Sequence, residues 1–588
     1  MNRRDFLTFG KRNPIASAST ARLKNGTAVV RNKNLTPQET AARFLMQTTF
    51  GPTEAEIDQA AQMGIDAWLE NQFSQPRTET LKYMWDVIHP IYFVEDVPLL
   101  SIAPFRWAWW QAVMRNPDQL RQRVAMGLSE IMVISTRTDL LEDISVAVAS
   151  YYDMLLKHAF GNFGDLLFDM ATHPAMGYYL SHAGNRKANP ALNRFPDENF
   201  AREIMQLFSI GLFELNQDGT RKKDAQGNDI PTYNNDDIKE FAKVFTGLTY
   251  QPSENWPEEE IDIDTEEGFS MAFMHYDNAQ VPMVMYDEYH DTGSKQLLNG
   301  YTIPAGQSGM QDVRDTINHL FNHPNVGPFV GRLLIQRLVT SNPSPAYIGR
   351  VAAAFNNNGA GVRGDMKAVI RAIVLDDEAR NLDQITNPRH GMLREPFIRY
   401  AHVCRALEVR NINGEERFYN LAEEAQSELA QAPFHSPSVF NFFSPDYRPL
   451  GPLNSENLAA PEFQITTSVS AIKLFNFLEG IIFEDNYMEL PDGEEEEDEL
   501  IESEFEQKMP TVSPVVMNPA PYDALEGNVL ALIERLDLLF TYGSMSGRMK
   551  EIITKAVTDS IEVNDNWQET VRFAIIMVVT CPEYAILL

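Results

Sequence analysis

Apolar residues recur along most of the chain at spacings of three and four, which places them on one face of an α-helix. The clearest runs of this kind are 121–134, 199–210, 365–374, 527–540 and 549–561. The alternating apolar and polar pattern of a long β-strand is not found over any run that could build a large sheet. The pattern therefore predicts a mainly α-helical protein with a large body of many helices.

The beginning of this helical body is marked near residue 36. Thr36 is a typical N-cap residue, Pro37 suits the first helical position, and Glu39 adds an acid to the first turn. No internal repeat interrupts the pattern that follows. We therefore expect a single large helical domain over 37–588.

One segment, 213–233, departs from the helical pattern. It contains two turn signals rich in Asp, Asn and Gly, at 216–220 and 224–228. Turns of this composition between short segments favour β-hairpins. The sequence therefore predicts a small β-hairpin inserted into the helical body.

Composition adds an unusual charge to an otherwise ordinary globular chain. Of 588 residues, 44% are hydrophobic, while 49 basic side chains face 82 acidic ones, a net charge of -33. A surface this negative repels phosphate backbones and anionic lipids, so nucleic acid is excluded as an expected partner. The longest apolar run, 573–579, is far shorter than the ~18 residues of a membrane span. We expect a soluble protein without a transmembrane segment.

Much of the negative charge is concentrated in two stretches that interrupt the helical pattern. Lys and Arg are absent between Lys243 and Lys295, and six consecutive acids occupy 494–499. Blocks of like charge are usually solvated and extended by self-repulsion. The sequence predicts mobile acidic insertions at about 251–288 and 484–508.

The N-terminal segment 1–36 has the opposite character, with eight basic residues and one acid. Residues 2–7 read Asn-Arg-Arg-Asp-Phe-Leu and look like a twin-arginine export signal, but the apolar stretch that such signals need does not follow. Two interpretations stay open, a basic tail and a degenerate export signal. We expect a periplasmic or extracellular protein, with the cytoplasm as the alternative.

The common cofactor motifs are incomplete. Residues 359–364 match G-x-G-x-x-G, but an alanine-rich helical stretch precedes them in place of the strand that a dinucleotide site requires. Cys404 and Cys581 are the two cysteines and form no metal-binding motif. No nucleotide cofactor is expected, and a divalent metal ion is a candidate cofactor.

Two polar clusters, at 173–203 and 289–295, are the best candidates for chemistry. In one hypothesis, His290 and Asp291 of the second cluster would form an acid–base pair and Lys295 would stabilise an anion, while Glu203 of the first cluster would complete an acidic wall. In a related hypothesis, His173, Glu203 and His290 would hold a metal ion. The structural alternatives are a turn held by His290 and an ion pair between Glu203 and its neighbour Arg202.

A third candidate site is a loop in which acidic residues alternate. Asp262, Asp264 and Glu266 could converge on a calcium ion, although the following Gly268 is one position late for an EF-hand. The alternative is a solvated acidic loop that binds no ion.

Several motifs occur in one order that resembles a known family. They lie at 41–57, 173–177, 198–207, 241–248, 290–295, 323–329 and 581–584. They resemble the bacterial "domain of unknown function" family numbered eighteen hundred, over nearly the whole chain. The resemblance implies a mainly helical, typically exported protein, often encoded beside a second uncharacterised exported family of sulfatase-like character. It carries over no established catalytic residues.

Two classes of function are compatible with these observations. The first is a non-catalytic exported protein that binds or assists a partner enzyme or an envelope polymer. It rests on the absence of a G-x-S-x-G elbow or P-loop from the sequence and on the family resemblance. The second is a hydrolase with a His/Asp/Glu or metal-dependent site, and it rests on the two polar clusters. We favour the first.

Overall fold

The protein is described here by a computed structural model that covers residues 35–92, 101–255, 261–262, 265–411, 418, 421, 428–483, 515–563 and 566–588. These residues are mainly α-helical, with four two-stranded antiparallel sheets, so the predicted fold class is confirmed. The acidic insertion predicted at 484–508 and nearly all of the basic segment 1–36 lie outside the described residues.

The first helix begins where the sequence predicts. Thr36 and Glu39 form a capping box, in which each side chain accepts a hydrogen bond from the backbone N–H of the other residue. The helices of the N-terminal half are α1 (Pro37–Thr48), α2 (Glu54–Met63), α3 (Ile65–Ser74), α4 (Thr80–Tyr83), α5 (His89–Tyr92), α6 (Ala103–Arg115), α7 (Gln119–Ser129), α8 (Asp139–Asp143), α9 (Ser145–His158), α10 (Phe163–Ala171), α11 (Pro174–Tyr179), α12 (Asn199–Gln206) and α13 (Asn235–Val244).

The helical pattern continues through the rest of the chain. Its helices are α14 (Glu266–Met271), α15 (Gly309–Phe321), α16 (Val326–Leu338), α17 (Pro345–Asn356), α18 (Met366–Val374), α19 (Asp377–Arg380), α20 (Pro396–Ala406), α21 (Pro452–Ser455), α22 (Ser468–Phe483), α23 (Ala520–Asp523), α24 (Val529–Thr541), α25 (Gly547–Ile561), α26 (Trp567–Val579) and α27 (Pro582–Ala585). The motif at 359–364 forms the loop between α17 and α18, as the helical stretch before it indicates.

The part of the chain that the structure describes contains eight strands, each two residues long and paired antiparallel. They are β1 (Leu248–Thr249), β2 (Val284–Met285), β3 (Lys295–Gln296), β4 (Thr302–Ile303), β5 (Met392–Leu393), β6 (Arg410–Asn411), β7 (Val515–Val516) and β8 (Ile586–Leu587). The pairs are β1–β2, β3–β4, β5–β8 and β6–β7. In β5–β8, Met392 lies opposite Leu587, so the last strand closes onto the segment before α20.

The segment predicted as a hairpin contains both expected turns, at 216–220 and 224–228. Its three short arms close on one another: Glu214 N–H donates to Ile230, Lys222 N–H to Glu214, and Ile230 N–H to Lys222, at 2.8, 2.8 and 3.2 Å. The segment therefore has three paired arms, one more than the two arms of a simple hairpin. The buried Asn325 side chain holds the base of this three-armed segment, because its Oδ1 accepts from Leu215 N–H at 2.9 Å.

One predicted helix is shorter than its pattern. The apolar spacing predicts a helix over 121–134, but α7 ends at Ser129. A turn follows α7, and just beyond the predicted run Thr136 N–H donates to the carbonyl of Phe434 at 2.7 Å. All residues of α7 are buried, so the one-sided pattern of a surface helix does not describe it.

The buried hydrophobic side chains form a cluster that extends along the chain from Ala41 to Leu587. Cys404 and Cys581 are buried free thiols. Among the described residues, no helix combines the length and the apolar character that crossing a bilayer requires.

Candidate functional site

His290, Lys295 and Asp312 form a compact buried cluster, which we name the His290 cluster. His290 precedes β3, Lys295 begins β3, and Asp312 lies in the first turn of α15. Asp312 Oδ2 is 3.0 Å from His290 Nε2 and 2.6 Å from Lys295 Nζ. The exposed fractions of the three residues are 0%, 0% and 1%. The cluster is thus an ion-paired group enclosed by the protein.

The remaining polar atoms of the His290 cluster are also engaged. His290 Nδ1 donates to the Thr246 carbonyl at 2.8 Å, and Asp312 Oδ1 accepts from Gln307 Nε2 at 2.9 Å. The Lys295 ammonium also donates to the carbonyls of Asp291 and Gly293. Fully satisfied buried networks fix local geometry, so this cluster joins β3, α15 and the loop before them.

The sequence predicts that His290 pairs with Asp291, whereas in the structure His290 pairs with Asp312. The Asp291 carboxylate accepts from Gly293 N–H at 2.8 Å and stabilises the turn. Lys295 does meet His290, with Nζ 3.4 Å from Nε2. A catalytic role for His290, Asp291, Lys295 and Glu203 stays a prediction.

Glu203 lies on α12 and is 5% exposed. Its Oε2 is buried without a hydrogen-bond partner, and burial raises the pKa of this carboxyl group. The predicted ion pair with Arg202 is absent from the described contacts, and Arg202 lies 3.5 Å from Glu198 instead. Within the described residues, the structure does not assemble His173, Glu203 and His290 into a group that could hold a metal ion.

The calcium hypothesis concerns Asp262, Asp264 and Glu266, of which Asp264 lies outside the described residues. The Glu266 carboxylate accepts hydrogen bonds from Arg186, at 3.2 Å, and from Arg194. Its charge is therefore already balanced by two guanidinium groups. This pairing favours the alternative of an acidic loop that binds no ion.

A cavity of about 610 Å³, here the His173 cavity, opens between α4, the π-helical turn Met84–Ile88, α9 and α10. Its wall combines an aromatic ring, apolar side chains and charged groups of both signs. The lining residues are Arg77, Glu79, Leu81, Lys82, Trp85, Asp86, Ser150, Asp153, Met154, Lys157, Asp169, His173, Gln280 and Pro282.

Within this cavity, Ser150 and His173 approach each other as a nucleophile and base would. Ser150 Oγ is 3.4 Å from His173 Nε2 and also donates to the Ala147 carbonyl at 3.0 Å. However, His173 Nδ1 accepts from Ala175 N–H at 3.2 Å and caps α11, which leaves the proton of the neutral ring on Nε2. Burial lowers the pKa of His173 to about 3. In this arrangement the ring donates to Ser150 and cannot accept its proton.

Two carboxyl groups on the same cavity wall have pKa values that are shifted in opposite directions. Burial raises the pKa of Asp153 to about 7, although its oxygens accept from the N–H groups of Thr80 and Leu81 at 2.7 and 3.0 Å. Burial also acts on Asp169, but hydrogen bonds from His158 and Lys157, both at 2.7 Å, prevail and lower its pKa to about 2. Asp169 is therefore a fixed anion, and Asp153 titrates near neutral pH.

Sequence reasoning missed a second buried polar cluster, formed by Glu130, Arg337, Glu395 and Gln431. Arg337 Nε is 2.8 Å from Glu130 Oε2, and Gln431 Nε2 donates to both glutamates. Burial and the neighbouring Glu395 raise the pKa of Glu130. The four side chains come from separate parts of the chain. The sequence offers one signal for this cluster, the charged Glu130 in a run that is otherwise apolar. That signal does not identify the residues with which Glu130 pairs.

Comparison with known proteins identifies a family for this chain. The family model described as "Protein of unknown function (DUF1800)" matches residues 43–586. No curated protein and no solved structure matches the chain. The match covers nearly the whole sequence and agrees with the resemblance seen in its motifs.

Proposed function

We propose that this chain, which belongs to the DUF1800 family of proteins of unknown function, is a non-catalytic binding or accessory protein of an exported system. The observation that carries the proposal is that the side chains of both candidate histidines are already engaged by contacts within the protein. His290 is enclosed in a satisfied ion-paired cluster, and His173 is occupied as a helix cap. Neither imidazole is poised to take a proton from a substrate.

The His173 cavity supplies the binding surface in this proposal. Its volume of about 610 Å³ lies in the range of small-ligand pockets. Trp85 offers an aromatic face, and charged groups of both signs offer donors and acceptors along the wall. This combination suits a hydroxyl-rich polymer segment, in which apolar ring faces alternate with polar edges. We therefore assign an envelope polysaccharide as the class of ligand.

Affinity electrophoresis in gels that contain soluble envelope polysaccharides tests this role. The wild-type protein should be retarded, and Trp85→Ala should migrate as it does in a gel without polysaccharide. Phe440→Ala is the matched control, because it removes an exposed aromatic ring that does not line the cavity. Retardation that survives Trp85→Ala, or wild-type migration that no polysaccharide alters, would refute the binding role.

Export and partnership with a sulfatase-like exported protein belong to the same proposal. They are supported by the arginine pair at positions 3 and 4 and by the usual setting of the family. Fractionation of cells that express the full chain should place it outside the cytoplasm, and a deletion of 1–36 should retain it inside. Equal distribution of the two proteins would count against export.

A hydrolase is the second candidate, favoured by the approach of Ser150 Oγ to His173 Nε2 at 3.4 Å, with Asp169 on the same cavity wall. The reaction requires the ring to release Ala175 N–H and move its proton to Nδ1. A fluorophosphonate probe should then label the wild-type chain and not Ser150→Ala. Absence of labelling in both proteins would remove this candidate.

A further inference from the structure

The wall of the His173 cavity carries more acidic than cationic side chains. The cationic residues of the lining are Arg77, Lys82 and Lys157, and the acidic residues are Glu79, Asp86, Asp153 and Asp169. Burial lowers the pKa of His173 to about 3, so this ring adds no positive charge at neutral pH. The charges of the wall therefore determine which kind of polysaccharide it attracts.

Each of the three cationic side chains is already paired with a carboxylate of the same wall. The pairs are Arg77–Glu79, Lys82–Asp86 and Lys157–Asp169. The positive charge that would attract an anionic ligand is thus balanced within the cavity. The net charge of the chain, -33, adds repulsion of anionic polymers.

Asp153, on α9, is the remaining acidic residue of the wall. Within the described residues, it forms no ion pair with a Lys, Arg or His side chain. Its two oxygens accept from the N–H groups of Thr80 and Leu81 at 2.7 and 3.0 Å, and each oxygen has the capacity to accept one more hydrogen bond. Asp153 is partly exposed and lines the cavity, so a donor group of a ligand can reach it.

The surroundings of Asp153 favour a cation as that donor. Burial raises the pKa of Asp153 to about 7, because the protein supplies no cationic side chain there to stabilise the carboxylate. A positive charge beside it would favour the ionised form. Trp85 lies on the same wall, and the face of an indole ring also attracts cations.

We propose that the ligand of the His173 cavity is a polysaccharide with free amino groups, and that the Asp153 carboxylate binds an ammonium group of this polymer. This inference rests on the proposed function and specifies the charge of the ligand. An ammonium group brings a positive charge and three N–H donors. Acetylation of the amino group removes that charge, and a uronic acid replaces it with an anion that the balanced wall does not attract.

Calorimetric titration of the full chain with three matched trisaccharides, in slightly acidic buffer, tests the inference. The probes are the trimers of glucosamine, N-acetylglucosamine and galacturonic acid, which carry a positive charge, no charge and a negative charge on each ring. We expect the glucosamine trimer to bind at least about tenfold more tightly than the acetylated trimer. This preference should decrease with added salt, and the uronic acid trimer should bind most weakly.

Asp153→Asn tests the role of the carboxylate, because it keeps the size of the side chain and removes its charge. The affinity for the glucosamine trimer should fall to that for the acetylated trimer, whose own affinity should not change. Damage to the cavity would instead lower both affinities in parallel. Asp58→Asn is the matched control, since it removes an exposed carboxylate outside the cavity, and it should keep the wild-type preference.

Equal affinity of the wild type for the glucosamine and acetylated trimers, or tighter binding of the uronic acid trimer, overturns the inference but not the proposed binding of polysaccharides. A preference that survives Asp153→Asn, or a parallel loss of both affinities, also overturns it. If no trimer binds, the inference fails, and affinity electrophoresis with longer polysaccharides decides separately on the proposed function. If Asp153→Asn does not fold, the wild-type preference and its salt dependence decide.

Discussion

Asp312 Oδ2 lies 3.0 Å from His290 Nε2, although α15 carries Asp312 far along the chain from the loop that carries His290. The same oxygen accepts from the Lys295 ammonium at 2.6 Å. One carboxylate therefore balances an ammonium group and orients an imidazole inside the protein. This relationship explains the polar residues at 290–295 without requiring a substrate.

Removal of the Asp312 carboxylate should lower the stability of the folded protein. Asp312→Ala leaves Lys295 buried without its counterion, so we expect the free energy of unfolding to fall by about 3–5 kcal/mol. Asp291→Ala removes a carboxylate from the same segment that stabilises an exposed turn, and it should cost about 1 kcal/mol or less. Urea denaturation of both variants provides the measurement. Equal losses would contradict the assignment of Asp312 as the ionic partner.

Gly51 should tolerate no side chain. Its φ is +104°, and an added Cβ would lie 2.2 Å from the ring of the buried His402. Gly51→Ala therefore combines backbone strain with overpacking and should cost at least about 3 kcal/mol. Gly306→Ala is the matched control, with a φ of +87° and nothing within 4 Å of the added Cβ, and should cost about 1–2 kcal/mol. Similar melting temperatures for the two variants would contradict the steric argument.

The raised pKa of Asp153 predicts a pH-dependent contribution to stability. Its pKa is about 7 in the folded protein and about 3.9 in an unfolded chain, so the folded state binds more protons between these values. Its contribution is most favourable below about pH 4 and declines as the pH rises to about 7. Asp153→Asn should therefore lose less stability than the wild type between these pH values.

The measurement is the free energy of unfolding from urea denaturation at several pH values. Asp58→Asn, which removes an exposed carboxylate, should give the wild-type pH profile. Parallel profiles for the wild type and Asp153→Asn would show that Asp153 does not titrate in this range.

The charge of the chain predicts no retention on a DNA column at physiological salt. With 49 basic and 82 acidic side chains, release of counterions from DNA cannot compensate repulsion by the body. Elution in the flow-through, compared with a basic control protein, is the expected result. Retention that decreases with added salt would refute this prediction.

The sequence alone determined the helical class and several helix boundaries. Thr36 and Glu39 act within one turn of each other, and Asp365 caps α18 through the N–H groups of Lys367 and Ala368. Such signals are readable because the interacting groups are separated by a few residues. The two turns near 216–220 and 224–228 were predictable for the same reason.

The tertiary structure decided which polar groups meet. In the fold, His290 contacts Asp312, Glu130 pairs with Arg337, and Arg43 lies beside Arg380. Each partner is brought from a distant element by packing of the apolar faces, and the period of a helix carries no record of the element that will pack against it. Burial then fixed the chemistry, because the pKa of His173 or Asp153 depends on how completely water is excluded from the folded interior.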